Sequence, residues 1–597
     1  MPTLNLAAIG NCTIASLMTP AGRCVWQCFP RLDGDPIFNA LLGGTNPTRG
    51  FAEIDVRNLA ANEQRYLTNT AIVETILTDK SNASVRILDF APRFRRFGRI
   101  YRPPMTVRRL EPNYGRPQVK VRIRPTFSYG ARDPHITVGS NHARYVGDEM
   151  VLRMTTDMPL SYVLHETEFT LDRPVNIFLG ADETLPENPD SLARTLMSET
   201  AAYWQEWVRD LNVPFVWQEA VIRAAITLKL CSFDDTGAIV AALTTSVPEA
   251  ADTSRNWDYR FCWLRDAFFT VTALNRLSAT RTMESFVRFV VDSVQRDGAE
   301  PISPLFSIAP GIDVSERIAE SLPGYRGFGP TRIGNAAVHQ RQNDVYGSII
   351  LTAAQMFWDR RLPQFADTAL YQQLCGIGRS ASKLALQPDA GLWEFRGRER
   401  LHSFSAAMCW AAQHRLGHIA AHIGLPGEAT SWLADASGLR KTILERATVK
   451  PDGWLSGVLD LPVADASSLV FPEIGLLPSS DERFLRTIKI VEDRLMRDGF
   501  IMRYDESDDF GLPKNAFLLC TFWYIDALAA VGRTEEAREL FTNVLSRRNH
   551  IGLLSEDIDP HTGELWGNFP QTYSQVGLIL SAMRLSRSWE EGLWHAS

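Results

Sequence analysis

Cysteine is scarce in this sequence: 597 residues hold eight, at Cys12, Cys24, Cys28, Cys231, Cys262, Cys375, Cys409 and Cys520, and none forms a CxxC pair. That scatter excludes a disulfide framework and suits a reducing compartment. Basic runs are missing too, and the net charge is -7. A general nucleic-acid or anionic-membrane binder is thereby excluded, so the expected partner is small and neutral. No apolar run is long enough to span a bilayer. The opening MPTLNLAAIGNCTIASLMTPAG has no cationic start followed by an unbroken apolar core. It therefore reads as lacking a secretory signal, and the expected location is cytoplasmic. Histidines and cysteines lack ligand spacing, and no Gly-rich phosphate loop precedes a helix, so no metal or organic cofactor is expected. Neither heptads nor an apolar edge strand stand out, which leaves a homo-oligomer open.

What is present has the balance of an ordinary globular protein, 45% apolar and 22% charged. Its length calls for two domains. Before residue 190, short β-branched and aromatic runs recur between turns: Cys24-Val-Trp-Gln-Cys-Phe29, Thr70 to Leu77, Val119 to Arg124, Met150 to Met154 and Val175 to Leu179. Such spacing predicts a β-sandwich over 1–190. Residues 191–213 read as a helical linker. From 214 to 597 roughly twelve helices are expected, among them Val221 to Cys231, Ala267 to Leu277, Val345 to Phe357, Phe404 to Ile423, Ala516 to Val531 and Thr572 to Leu585. Six hairpins can close into a double-ring toroid; the competing solenoid lacks a repeat of fixed period.

Four polar-aromatic clusters sit in the loops between those helices. In Asn256-Trp-Asp-Tyr-Arg-Phe-Cys-Trp-Leu-Arg-Asp266 the acid and base can be a ligand-gripping pair or a plain helix start. In Arg332 to Gly347, Asp344 can likewise be helix-start chemistry, and His339 reads as structural rather than metal-binding. Within Asp389 to Gly397, Glu394 lies between Trp393 and Phe395, where apolar surroundings would favour a protonated carboxyl. Near the C-terminus Glu556, Asp557, Asp559 and Glu564 compete for one role. Pyranoses account for the mixture, offering apolar faces to rings and hydroxyls to Asp, Arg and amides. Breaking a glycosidic bond needs two carboxyl groups, one protonated and one ionised.

The blocks WDYRFCWLRDA, GNAAVHQRQNDVYG, GLWEFRG, DASSLVFPEIG, NAFLLCTFWYIDAL and LLSEDIDPHTGELWGNFPQTYSQVGLI resemble, in that order, those of glycoside hydrolase family 15. Upstream, Ile9 to Ala15 and Cys24 to Pro30 resemble the N-terminal β-domain of its bacterial trehalase-like members. The resemblance implies a β-sandwich joined by a helical linker to an all-α (α/α)6 barrel. It further implies Glu394 as general acid and Glu556 as general base of an inverting hydrolase, the carboxyls roughly 6.5 to 9.5 Å apart. Trp263, Arg265 and Asp266 would grip the terminal glucose, with Trp257, Asp258, Gln342, Asp344, Trp393 and Trp566 as further sugar-contacting candidates. Phe404-Ser-Ala-Ala-Met408 and Lys514-Asn-Ala516 depart from the family pattern without touching the acid pair. The favoured substrate is α,α-trehalose, with α-1,4 or α-1,6 glucosides as the alternative. A disaccharide phosphorylase and a non-catalytic sugar binder stand further off. No cofactor is required by this reading, and the sequence is silent on phosphate or magnesium as activators.

Overall fold

The computed structural model describes residues 2–298, 300–362 and 367–593. Strand patterning builds the first part. In Gln118–Arg124 (QVKVRIR), Val119, Val121 and Ile123 are buried while the cationic residues between them are half-exposed, the period-two signature of a strand with one wet face. It pairs antiparallel with Phe51–Val56, Val121 opposite Ile54. This sheet continues through Cys24–Phe29 and Ala15–Met18 to Ala7–Gly10, with Asp35–Phe38 branching from Cys24–Phe29 and Phe169–Thr170 at the other edge.

An eight-stranded sheet faces it, ordered His135–Val138, His142–Val146, Val151–Thr156, Val175–Gly180, Met105–Tyr114, Ser84–Phe90, Val73–Asp79 and Leu59–Tyr66. The inner faces share one apolar core. Between them lies a buried Arg108–Asp89 pair at 2.7 Å. Helix α1, Pro189–Arg209, is capped by Asn188 and carries Pro189 in its first turn. Its Leu192 and Leu196 cover Leu88, Phe90, Val107 and Phe178 on the outer face of the second sheet.

Burial sorts the following helices into two sets. Helices α5 (Asp344–Trp358), α7 (Ser403–His422), α10 (Leu518–Ala530) and α12 (Thr572–Leu585) are buried nearly all round, so they occupy an interior. Helices α4 (Thr280–Asp297) and α9 (Glu482–Leu495) are amphipathic and take the outside. The remaining helices are α2 (Gln218–Leu230), α3 (Ala267–Arg276), α6 (Thr368–Leu384), α8 (Pro426–Ala447) and α11 (Thr534–Ser546). Packing runs from α3 to α5, α7, the 3-10 helix Ala466–Val470, α10 and α12, and α12 returns to α3. Glycines permit the closest approaches. A methyl group at Gly347 of α5 would lie 2.2 Å from the Met408 carbonyl oxygen of α7.

Among the described residues no helix is long and apolar enough to cross a membrane. The segments entering α3, α7, α10 and α12 at their N-terminal ends carry Trp263, Glu394, Tyr504 and Glu556 in turn, and all four line one cavity.

Candidate active site

Alternation along an extended stretch builds one wall of that cavity. Trp257, Tyr259 and Trp263 line it, whereas Asp258 and Arg260 are buried behind. Arg260 grips Asp258 with Nη2 at 2.7 Å and Nε at 2.9 Å. It also reaches the β-domain, donating to the Gly34 carbonyl and to Tyr129 Oη, both at 2.9 Å. On the cavity side Tyr259 donates to Glu556 Oε1 at 2.8 Å, and Trp263 Nε1 donates to Glu394 Oε1 at 2.6 Å. The two rings meet edge-to-face with centroids 5.2 Å apart. Each acid is thus held by an aromatic side chain, and those side chains brace each other.

Glu394 sits at φ +59°, a left-handed conformation costly for a side chain of this kind. Its Oε1 accepts three bonds, from Trp263, from Arg265 Nη2 at 2.9 Å and from Gln342 Nε2 at 3.3 Å. Among the described residues no group bonds Oε2, which is left open to the cavity. The surroundings correct the expectation of an apolar sleeve: a guanidinium lies against the carboxyl. The flanking rings are engaged elsewhere. Trp393 Nε1 donates to Asp465 at 2.8 Å, and Phe395 stacks on His402 with centroids 5.6 Å apart.

Glu556 precedes the short strand Asp557–Ile558, which pairs with Ala516–Phe517 and Leu565–Trp566. Gly567, at φ +74°, turns so tightly that a Cβ there would lie 2.6 Å from Glu556 Cβ. That turn presents the Asn568 N–H to Glu556 Oε2 at 3.2 Å. Behind the carboxyl, Arg503 Nη2 lies 3.5 Å from Glu556 Oε1 and 3.2 Å from Asp557 Oδ1, while Nη1 pairs with Glu249. Burial pushes the Glu556 carboxyl up to about 7 and the charge of Glu249 adds to it; Arg503 and Tyr259 oppose the rise. Asp557 is raised as well, again through burial first.

The other candidates separate by position. Trp257, Trp263, Arg265, Asp266 and Trp393 line the cavity with Glu394 and Glu556. Burial, Glu394 and Asp344 lift the Asp266 carboxyl to about 7 against the pull of Arg265. Four expected sugar contacts lie off the wall. Asp258 is spent on Arg260, and Gln342 is 1% exposed behind Arg265, which donates to its Oε1 at 2.9 Å. Asp344 is 0% exposed with both carboxyl oxygens unbonded, and its carboxyl is raised by burial. Trp566 packs on Tyr325 with centroids 5.9 Å apart and lies under Arg326. Of the neighbouring acids, Asp559 caps its own turn through the His561 N–H, and Glu564 pairs with Arg326.

Sequence reasoning passed over Tyr259, Arg503, Glu249 and Trp523. Tyr259 was within reach, because period-two alternation from Trp257 puts it on the same face. Arg503 carried no signal, since its three acidic partners lie 254, 53 and 54 residues away in sequence. Among the described residues no three His, Cys, Asp or Glu side chains are placed to share a metal ion. The cavity has an empty volume of about 900 Å³, its mouth included, and both rings and charged groups line it. Such a lining suits a ligand with apolar faces and a polar rim.

Comparison with known proteins places the chain among glycoside hydrolases. The profile described as "Glycosyl hydrolases family 15" matches residues 216–583, and "Trehalase-like, N-terminal" matches 2–150. The chain is 30% identical over 589 residues to the trehalase of Thermoplasma volcanium, covering 97% of this chain and 93% of that one. It is 28% identical over 626 residues to the trehalase of Mycolicibacterium smegmatis, with 99% and 92% covered. Among solved structures, a bacterial glucoamylase complexed with acarbose superposes with a TM-score of 0.69 at 12% identity, over 97% of this chain and 93% of that one. That last likeness speaks for the fold.

Proposed function

The chain belongs to glycosyl hydrolase family 15, and from that membership we propose that it hydrolyses α,α-trehalose with inversion in the cytoplasm, Glu394 acting as general acid and Glu556 as general base. The same proposal divides the chain into a β-sandwich over 1–190, a helical linker over 191–213 and an (α/α)6 barrel over 214–597. The ordered return of α12 to α3 supports the barrel. The trehalase names of full-length relatives support the substrate.

The observation that carries the assignment is that three donors converge on a single oxygen of Glu394 while its other oxygen faces the cavity. A proton on that carboxyl belongs on Oε2, aimed at a bound ether oxygen. As the proton leaves, Trp263, Arg265 and Gln342 stabilise the carboxylate that forms. Glu556, raised by burial, is a strong base once ionised and takes the proton of a water attacking the anomeric carbon. Trp257, Trp263 and Trp393 offer faces to the sugar; Arg265 and Asp266 take its hydroxyls.

Inversion has a distinct outcome on this substrate. The attacked unit leaves as β-glucose, while the departing unit keeps its own oxygen and leaves as α-glucose. Early proton NMR of the products should show the two anomers in equal amounts, whereas retention would yield α-glucose alone. Glucose release from trehalose, maltose and isomaltose in parallel tests the substrate. Strong maltose or isomaltose cleavage without trehalose cleavage overturns it.

One observation favours a second reading with the roles exchanged. Burial favours a protonated Glu556, while Arg265 pairs with Glu394 at 2.9 Å. A donor that needs no acid separates the two assignments.

A further inference from the structure

A second hollow lies where the β-domain meets the helices and shares no lining residue with the acid pair's cavity. Its empty volume is about 1140 Å³, mouth included. The walls come from the end of Leu59–Tyr66 and the turn after it, from Arg223 on α2, and from the loop through Arg548 to Gly552 that follows α11. Buried arginines elsewhere in this protein are each answered by an acid: Arg93 by Asp234, Arg108 by Asp89, Arg260 by Asp258 and Arg503 by Asp557. Here two are not.

Arg223 is 8% exposed. Its Nη2 donates to the Thr70 carbonyl at 2.9 Å, its plane covers the Tyr66 ring at 3.4 Å, and Nη1 has no hydrogen-bond partner. Arg548 is half-buried and donates Nε to the Leu545 carbonyl at 3.1 Å. Among the described residues neither guanidinium forms an ion pair. The charge of Glu219 reaches both from the exposed rim. Gly552, at φ +88°, lets the two side chains pass close together: a Cβ there would lie 3.5 Å from Arg223 Cγ and 3.5 Å from Arg548 Nη1. Two cations drawn partly out of water without a paired acid are costly, and burial lowers the proton affinity of both, Arg223 to about 10.

We propose that this cleft binds a small phosphorylated, hydroxyl-bearing molecule, its phosphate held between Arg223 and Arg548. Guanidinium forks match phosphate oxygens in geometry and charge, and a phosphate ester has three terminal oxygens to share between two forks. The cleft exceeds what a bare phosphate fills, and Thr68, Asn69 and His550 offer hydroxyl, amide and imidazole groups to the remainder. Occupancy ties the β-domain turn, α2 and the loop that runs on to Glu556. Asn549 already anchors this loop, donating to the Leu4 and Leu6 carbonyls at 3.0 and 2.9 Å.

The test is calorimetric titration and thermal unfolding of the full chain with glucose 6-phosphate, inorganic phosphate, glucose, and sodium chloride at matched ionic strength. Glucose 6-phosphate should bind saturably and raise Tm, inorganic phosphate should bind more weakly, and glucose and chloride should do neither. Arg548→Gln should weaken the ester by about 10- to 100-fold while leaving ligand-free trehalose hydrolysis unchanged. Arg223→Lys should weaken it as well; should that variant fail to fold, Arg548→Gln alone decides. The proposal is overturned if glucose 6-phosphate does not bind, if inorganic phosphate binds as tightly as the ester, or if Arg548→Gln leaves the affinity unchanged. Binding is read without turnover, so this result and the hydrolase assignment stand or fall separately.

Discussion

Replacing Glu394 by Gln isolates one proton. The amide oxygen can keep the three donors now on Oε1, and its NH2 takes the open Oε2 position, so no buried donor is left unpaired and the loop should hold. What disappears is the proton for the departing ether oxygen. General acid catalysis contributes about 10²- to 10⁴-fold, or about 3–5 kcal/mol of barrier, and trehalose turnover should fall by that factor. With α-glucosyl fluoride the leaving group departs without protonation, and the same variant should stay within about tenfold of wild type. Glu556→Gln should lose both reactions, because water still needs its base. Glucose release and a fluoride electrode measure the two rates. If Glu394→Gln loses fluoride hydrolysis as deeply as trehalose hydrolysis while Glu556→Gln retains it, the roles are exchanged and the argument from Oε2 is wrong.

Three further outcomes follow from the same geometry. Burial and Glu249 raise the Glu556 carboxyl above its usual range, and as the base it must be ionised to work, so kcat/KM should fall on the acid side at a pH above that of an ordinary carboxyl; Glu249→Gln removes a charge that raises it and should move that limb to lower pH, and an unmoved or upward-shifted profile refutes the coupling. Gly347→Ala forces a methyl group against the Met408 carbonyl oxygen and should destabilise the protein by about 1–3 kcal/mol, read as a lowered denaturation midpoint. Burial pushes Asp234 up, but Lys229 and Arg93 outweigh it and hold the carboxyl below its usual range. Its stabilisation is therefore full above the unfolded value near about 3.8 and lost as pH falls further, and Arg93→Met should lower stability at neutral pH and flatten that acid dependence.

Long, strongly patterned elements were legible in the sequence. Cys24–Phe29 and Thr572–Leu585 fall where the pattern put them, and α5 and α7 differ by a residue at each end. The helix expected from Ala516 begins instead at Leu518, because Ala516–Phe517 is claimed by a strand pairing with Asp557–Ile558. That contact spans some forty residues, and local periodicity cannot register it. The five-residue 3-10 helix Ala466–Val470 is too short to show a period, although it fills a place in the inner series. At the site, side-chain type drew attention to loops that meet at one cavity but not to depth. Asp258 and Asp344 have the chemistry of sugar ligands and lie behind the wall, Asp258 because alternation turns it backward and Asp344 because it opens a helix buried on every side.

The backward-facing side chains of the Trp257–Trp263 stretch bind the two halves of the molecule into one catalytic unit. Remove the first 190 residues and Arg260 loses the Gly34 carbonyl and the Tyr129 hydroxyl together, leaving Nη1 bare on a newly wetted surface and Nη2 with Asp258 alone. The strip that spaces Tyr259 from Trp263 would then have nothing rigid at its back. A shortened enzyme made from the helices alone is a poor engineering goal, since the sandwich is the mould in which the cavity-facing aromatics are cast.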